Sequence, residues 1–430
     1  MDAAGGRSAR VDLVVVGAGI IGLATARHYL AKHPGRRVFV VEAEPGVAVH
    51  QSGRNSGVLH SGVYYSPGSL KARLTVAGRR SMVEFCERHE IAHDVCGKVI
   101  VATSSDELDR LHRLARFAES NGVPAELLDA EQLAEREPHC VGVAALWVAS
   151  TGITDYPAVC AAMADELRAA GAEVRFNTAV VAMRDVPSGG VGATTWEEAP
   201  AVDTVSVHPG DVWVRTNQGD VETRQLVNCA GLHSDTVAKM ADADEGHRIV
   251  PFRGEYFELV PHRRHLVRNL VYPVPDPQFP FLGVHLTRMI DGSIHAGPNV
   301  VLALHREGYT RGRVSGRQVV EHVRNRGLRA LVGRHGRMGA KELWRSRSRT
   351  AFARALAKLV PDITAADLVR APAGIRAQAM DAEGRLLDDF AVTRAGNTVH
   401  VLNAPSPAAT ASLEIGDYVV RHLDGPGKAI

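Results

Sequence analysis

The 430-residue chain is 45% hydrophobic and 23% charged, the composition of a soluble globular protein, and is long enough for two domains or one large composite domain. Aromatic residues make up only 5%, which leaves no stacking platform for nucleic acid, and no apolar run reaches the roughly 18 residues needed to cross a bilayer. The net charge of +2 conceals a basic block: Arg306 to Lys358 holds 15 Lys/Arg against three acids, a local +12 that leaves the remainder at −10.

The residues before Val11 are small and polar and lack the apolar core of a signal peptide. Val11–Val16 is a short, mostly β-branched run, the pattern of a buried parallel strand. A glycine-rich turn, Gly17–Gly22, leads into a helical pattern over Leu23–Lys32, which Pro34 and Gly35 end. Arg37–Val41 predicts a second strand and completes a βαβ unit. Helices are predicted over Lys71–Arg88, Glu107–Gly122 and Tyr156–Gly171. Strands are predicted over Glu173–Phe176, Ala179–Met183, Val212–Thr216 and Gln225–Cys229, and residues 186–201 read as an exposed loop. From 249 to 298 the chain is rich in strand patterns and proline; helical patterns return from Ser315 to Val360, and the end runs strand, tight turn, helix. The cysteines (Cys86, Cys96, Cys140, Cys160, Cys229) lie far apart with no Cys-x-x-Cys pair. Neither a zinc site nor a disulfide framework is expected, and a reducing cytoplasm fits.

Gly17-x-Gly19-x-x-Gly22 follows a strand and opens a helix, and Glu42 stands 20 residues after Gly22 at the end of the second strand. Gly17 serves the tight turn, Gly19 close backbone approach to a pyrophosphate, and Gly22 helix–strand packing. Ile20 and Ile21 lie in the same turn, at the helix N-terminus that faces the phosphates. Glu42 is placed to accept hydrogen bonds from ribose hydroxyls, which disfavours a 2′-phosphate and hence NADP. The fingerprint does not separate FAD from NAD. The stretch Gln51–Gly62 that follows, rich in glycine and serine, suits a segment lying against a large flat cofactor, or else an ordinary surface loop.

Longer runs carry a family resemblance. Besides Gly17–Gly22 they are Arg54-Asn55-Ser56-Gly57-Val58-Leu59-His60-Ser61-Gly62-Val63-Tyr64-Tyr65, Thr151-Gly152-Ile153-Thr154-Asp155-Tyr156 and Cys229-Ala230-Gly231. More specific are Pro251-Phe252-Arg253-Gly254-Glu255-Tyr256, Phe279-Pro280-Phe281-Leu282-Gly283-Val284-His285 and Asn403-Ala404-Pro405-Ser406-Pro407-Ala408-Ala409-Thr410, with Pro372–Ala379 between. From Val11 to about Leu423 the chain resembles the L-2-hydroxyglutarate oxidases/dehydrogenases, a branch of the D-amino-acid-oxidase-like flavoproteins. Val300, His295 and Thr154 depart from that pattern, and His295 bears on the pocket wall.

The resemblance implies an α/β fold: a Rossmann-type FAD-binding domain from 1–85, 150–240 and 366–430, and an interleaved α+β substrate domain on a mixed or antiparallel sheet from 86–149 and 241–365. It implies FAD as cofactor and oxidation of L-2-hydroxyglutarate to 2-oxoglutarate, with hydride leaving C2 for flavin N5. A positioned base helps a hydroxyl lose its proton near neutral pH, and histidine fits. His60 is the first candidate and His285 the second. Arg376 matches the place where relatives hold the substrate carboxylate, and a guanidinium can grip it bidentately. Arg253 is the next cation, or else an internal partner of Glu255; Tyr256 and Tyr65 add hydroxyl donors. Arg54, Asn55, Ser56 and Gly57 are expected along the flavin, and Ala230 and Gly231 on the adenine or pyrophosphate side, with Val181 as a further adenine contact. Pro407, Ala408, Ala409 and Thr410 are expected to open a helix whose N–H groups face the reduced ring.

The small dicarboxylate substrate and an electron acceptor, oxygen or quinone, are the expected partners, with no nucleic acid. The basic block reads as a solvated helical face, as attraction for a dianion, or as peripheral docking to anionic lipid at the inner membrane face of a cytoplasmic protein. An oxidase of an amino acid or of another 2-hydroxy acid, and a flavin-binding protein without catalysis, are the alternative readings.

Overall fold

The computed structural model describes residues 9–186, 208–243, 246–276 and 283–425. The predicted loop 186–201, save its first residue, and the run Phe279–Leu282 lie outside those residues.

Strand Ala9–Val16 lies at the middle of the first sheet because Leu13, Val14 and Val15 have no exposed surface and can be covered on both faces. Val38–Val41, buried at all four positions, runs parallel to it on one side and is followed by Glu173–Arg175. On the other side lies Gly219–Asn228, parallel again. Its first half pairs antiparallel with Val212–Thr216, and its last residues pair in parallel with Thr398–Asn403. The predicted strand at 225–229 is thus the second half of a longer one. Helices Ile20–Lys32, Tyr156–Ala169 and Ser412–Asp424 contribute buried side chains such as Leu23, Tyr156 and Ile415 to the same core.

The second sheet is mixed. Arg248–Leu259 pairs antiparallel with Leu368–Met380, Ile294–Gly297 and Val301–Leu302. His285–Arg288 and Leu270–Pro273 continue it, and Leu270–Pro273 lies parallel to Lys98–Ala102. Ala144–Val148 and Glu126–Leu128 form its far edge. Strand Leu368–Met380 therefore belongs to this sheet, although the expected division assigned everything after 366 to the flavin domain. Its first half is largely exposed and its second half, from Gly374, largely buried, as the strand runs inward before the chain returns to the first sheet.

The helical region 315–360 resolves into Gly316–Arg324, Arg326–Arg347 and Arg349–Leu356, with Ser315, Asn325 and Ser348 capping the three N-termini. Among the described residues no helix is long and apolar enough to cross a membrane.

Candidate active site

A cavity of about 520 Å³ is lined by both sheets and by the loops between them. The fingerprint turn forms one part of its wall. Gly17 has φ +104, and a Cβ there would lie 2.6 Å from the Cys229 carbonyl oxygen, so only glycine lets the strand turn beside Cys229. Gly22 does not line the cavity; a Cβ on it would lie 2.0 Å from the Gly17 oxygen, and its part is to seat the helix under the turn. The Glu42 carboxylate accepts hydrogen bonds from Ala18 N (2.7 Å) and Glu44 N (2.9 Å), which fixes it on the wall. Ile20 N donates to Ser52 Oγ at 2.9 Å and so ties the Gln51–Gly57 segment to the start of the helix. These features fit the pyrophosphate and ribose of a dinucleotide.

Ile20, Ile21, Gly19, Arg54, Asn55, Ser56, Ala230, Gly231, Pro407, Ala408 and Ala409 also line the cavity. Gly57 and Thr410 do not. Val181 does not either: its side chain is 50% exposed, while Thr178, Ala179 and Val180 take that wall. An irregularity in strand pairing between Val180 and Ala182 shifts the alternation of faces, and this is why the adenine-side expectation fell one residue off. The segment Ser406–Ala411 is a run of turns, and the helix begins only at Ser412. Ala409 and Thr410 N–H make no hydrogen bond among the described residues, so the wall still offers donors without a helix.

His60 reaches the cavity from the segment after strand Val58–Leu59. Its Nε2 lies 3.1 Å from Ser406 Oγ, and its Nδ1 is buried without a partner. Burial first, then the electrostatic influence of Lys98, His285, Lys71 and Arg376, hold it well below the ordinary histidine range, so the ring is neutral near pH 7. Arg376 and Tyr256 line the same cavity, where Gly254, Gly374 and Ile375 bring the second sheet against it. Burial raises the Tyr256 hydroxyl, and the Arg376 charge acts against that.

Three of the predicted catalytic and substrate-binding residues also stand off the cavity. His285 is buried, its ring stacked on Tyr272 with centroids 3.9 Å apart. Its Nδ1 donates to the Gly283 carbonyl at 2.7 Å, and burial foremost pushes it down to about 3. Tyr65 lies beside Lys71, and burial raises its hydroxyl. Arg253 is engaged elsewhere: Nη2 is 3.0 Å from Glu255 Oε1 and Nη1 donates to the carbonyls of Gly308 and Thr310. Burial alone would raise the Glu255 carboxyl; Arg311 first, then Arg253, hold it below its usual range. Sequence reasoning passed over Ser406 as a partner of His60, and it passed over Lys98, a charged residue heading an otherwise apolar buried strand. That misfit was the available signal.

A family model described as FAD dependent oxidoreductase (DAO) matches residues 12–422. The chain is 42% identical to an L-2-hydroxyglutarate dehydrogenase of Salmonella houtenae over 410 residues, 95% of this chain and 92% of that protein. To the mitochondrial L-2-hydroxyglutarate dehydrogenase of Homo sapiens it is 41% identical over 424 residues, 96% and 89% of the two chains. The fold is that of L-alpha-glycerophosphate oxidase from Mycoplasma pneumoniae with FAD bound, at TM-score 0.74 and 20% identity, with 98% and 96% of the chains covered. Glycine oxidase from Geobacillus kaustophilus gives TM-score 0.67 at 19% identity, with 97% and 95% covered. The residues present fit the cofactor of this fold, FAD.

Gly17→Ala should weaken FAD retention by roughly 10- to 100-fold, from the cost of a side chain in left-handed backbone against a carbonyl. Titration of flavin-stripped protein with FAD measures it, and an unchanged dissociation constant would remove the fingerprint turn from the site.

Proposed function

The chain belongs to the DAO family of FAD-dependent oxidoreductases, and from that membership and the charge around His60 we propose that it oxidises L-2-hydroxyglutarate to 2-oxoglutarate. The observation that carries the reading is local: a buried histidine lines the cavity with Arg376, and, after burial, Lys98, Lys71 and Arg376 all act to keep it deprotonated. Such a pocket attracts a dianion and leaves a base free to take a proton.

Bound FAD supplies the acceptor for the hydride. Arg376 holds the carboxylate next to the reacting carbon with two parallel N–H donors, and Tyr256 bounds the same wall. His60 takes the hydroxyl proton at Nε2, the nitrogen beside Ser406 Oγ. Coverage of 92% and 89% of two L-2-hydroxyglutarate dehydrogenases, at 42% and 41% identity, favours this substrate over amino acids.

The electrons leave for an acceptor, and the basic helices support a membrane quinone reached by peripheral contact. Val323 and Trp344 are 63% and 58% exposed there, among arginines such as Arg317 and Arg347. Part of the block has another role: Arg306 pairs with Asp235, Arg311 with Glu255 and Arg345 with Glu342.

Anaerobic addition of L-2-hydroxyglutarate should bleach the oxidised flavin band, with the D enantiomer and amino acids inert; persistence of the band would end the substrate reading. Because His60 is held below its ordinary range, it stays deprotonated as pH falls through 6.5, and the rate of flavin reduction should remain flat there. His60→Asn should lower that rate by about 10²- to 10⁴-fold, and a variant that reduces its flavin at the parent rate would assign the base elsewhere. The protein should cosediment with anionic vesicles at low salt, about 5-fold less after Trp344→Ala with Val323→Asp. Equal sedimentation of variant and parent would refute the membrane contact.

A further inference from the structure

A dicarboxylate has a second charge to place, and Arg253 is occupied by Glu255 and by two carbonyls. Lys98 is a cation of a different standing. It heads strand Lys98–Ala102, every residue of which is buried, and has 0% of its own surface exposed. Its Nζ has no hydrogen-bond partner, and among the described residues no carboxylate pairs with it. The ammonium lies 4.7 Å from the ring centroid of Tyr64 and 4.6 Å from that of Tyr272. Two aromatic faces ease the charge without answering its three N–H donors. The Tyr64 hydroxyl beside it is likewise buried and unpartnered.

A lone buried charge is costly to the fold, and a purely structural position would be better filled by methionine or leucine. A buried ammonium over the ring of a tyrosine whose hydroxyl is also unanswered calls for an acceptor that the described residues do not provide. Neither residue lines the cavity itself, and what links them to it is their neighbours. Tyr272 stacks on His285, and the Lys98 charge acts on both His285 and His60, the latter on the cavity wall. Arg376 acts on the same two histidines. The two cations thus share one pair of imidazoles. Burial pushes the Lys98 ammonium down to about 7, a position that an incoming anion would reverse by favouring the charged form.

We propose that Lys98 is the second cation of the substrate pocket: its ammonium, with the Tyr64 hydroxyl, receives the carboxylate remote from the oxidised carbon and so selects 2-hydroxydicarboxylates over 2-hydroxymonocarboxylates. The inference rests on the substrate reading above and names the residue that makes it specific. Arg376 holds the near carboxylate, and Lys98 sets the length and charge of the tail.

L-2-hydroxyglutarate and L-2-hydroxypentanoate share a carbon chain and differ in the second carboxylate. With FAD-loaded enzyme, Lys98→Met should lower kcat/KM for the first by at least about 30-fold and leave the second within about 3-fold. Glutarate, which has no hydroxyl to oxidise, gives a readout without turnover. Its dissociation constant, from the shift it causes in the flavin spectrum or from calorimetry, should rise by a similar factor in Lys98→Met, while that of butyrate stays put. Lys98→Gln replaces the methionine variant if the latter does not fold. Equal losses with both hydroxy acids, or unchanged glutarate binding, would overturn the assignment. A parent enzyme that binds glutarate but leaves its flavin oxidised with L-2-hydroxyglutarate would refute the substrate reading instead, and the glutarate comparison would still judge Lys98.

Discussion

Thr410 has no exposed surface, and its hydroxyl joins three stretches of chain. It donates to the Val58 carbonyl at 3.1 Å, accepts the His60 N–H at 3.1 Å and meets the Tyr156 hydroxyl at 2.9 Å. Without it the His60 N–H would be left buried and unanswered, at a cost of about 1–3 kcal/mol. His60 is therefore placed by its backbone, and its ring is left available to the cavity. The same contact sets the loop of Pro405–Ala409 against the His60 segment, with Ser406 Oγ 3.1 Å from His60 Nε2. The partners stand 350 residues apart in sequence, so the site exists only once the whole fold has closed.

Electrostatics around the cavity follow from which acids are already matched. Glu255 faces Arg311 and Arg253, and Asp235 faces Arg306. Glu307 is held down to about 2 by the His233 hydrogen bond first, with Arg313 adding to it. With those carboxylates satisfied, Arg376, Lys98 and Lys71 dominate the potential at His60. A base surrounded by cations stays neutral, and an anion entering that field is drawn in by the same charges that keep the base ready. Burial of His60 and His285 amplifies the effect, because little water reaches them to screen it.

The parts of this arrangement that sequence reasoning caught are local ones. Gly17, Gly19, Gly22 and Glu42 lie within one βαβ unit, where the turn, the helix start and the strand end follow from spacing alone. The turn run Ser406–Ala411 misled because Pro407 followed by small residues is also the pattern of a helix start, and the chain makes turns there before the helix begins at Ser412. Val181 was misplaced by a pairing irregularity that no alternation pattern announces. Arg253 and Lys98 show the harder limit. Whether a cation is available depends on what folds against it, and the carbonyls of Gly308 and Thr310 reach Arg253 from more than 50 residues away. Lys98 merely precedes an apolar run in the sequence; only the packing of Tyr64 and Tyr272 shows an ammonium buried without a partner.

Arg376 presents the last structural question, since it sits on the second sheet while the cofactor wall is built largely on the first. Its strand pairs with Arg248–Leu259 in a register that sets Phe252 opposite Arg376. Three residues on, Ala379 N donates to Asn403 Oδ1 at 3.0 Å, and Asn403 is the last residue of a strand of the first sheet. The Asn403 amide also donates to the carbonyls of Leu387 and Asp389, so a side chain with 1% of its surface exposed has its bonds on three segments. The loop Ala404–Ala409 of the cavity wall begins at the next residue. The grip on the substrate and the wall of the cofactor site are thus pinned to one buried amide. Displacements of about 1 Å between reacting atoms cost on the order of 10²-fold in rate, so this pin keeps the two sheets from drifting apart during the reaction.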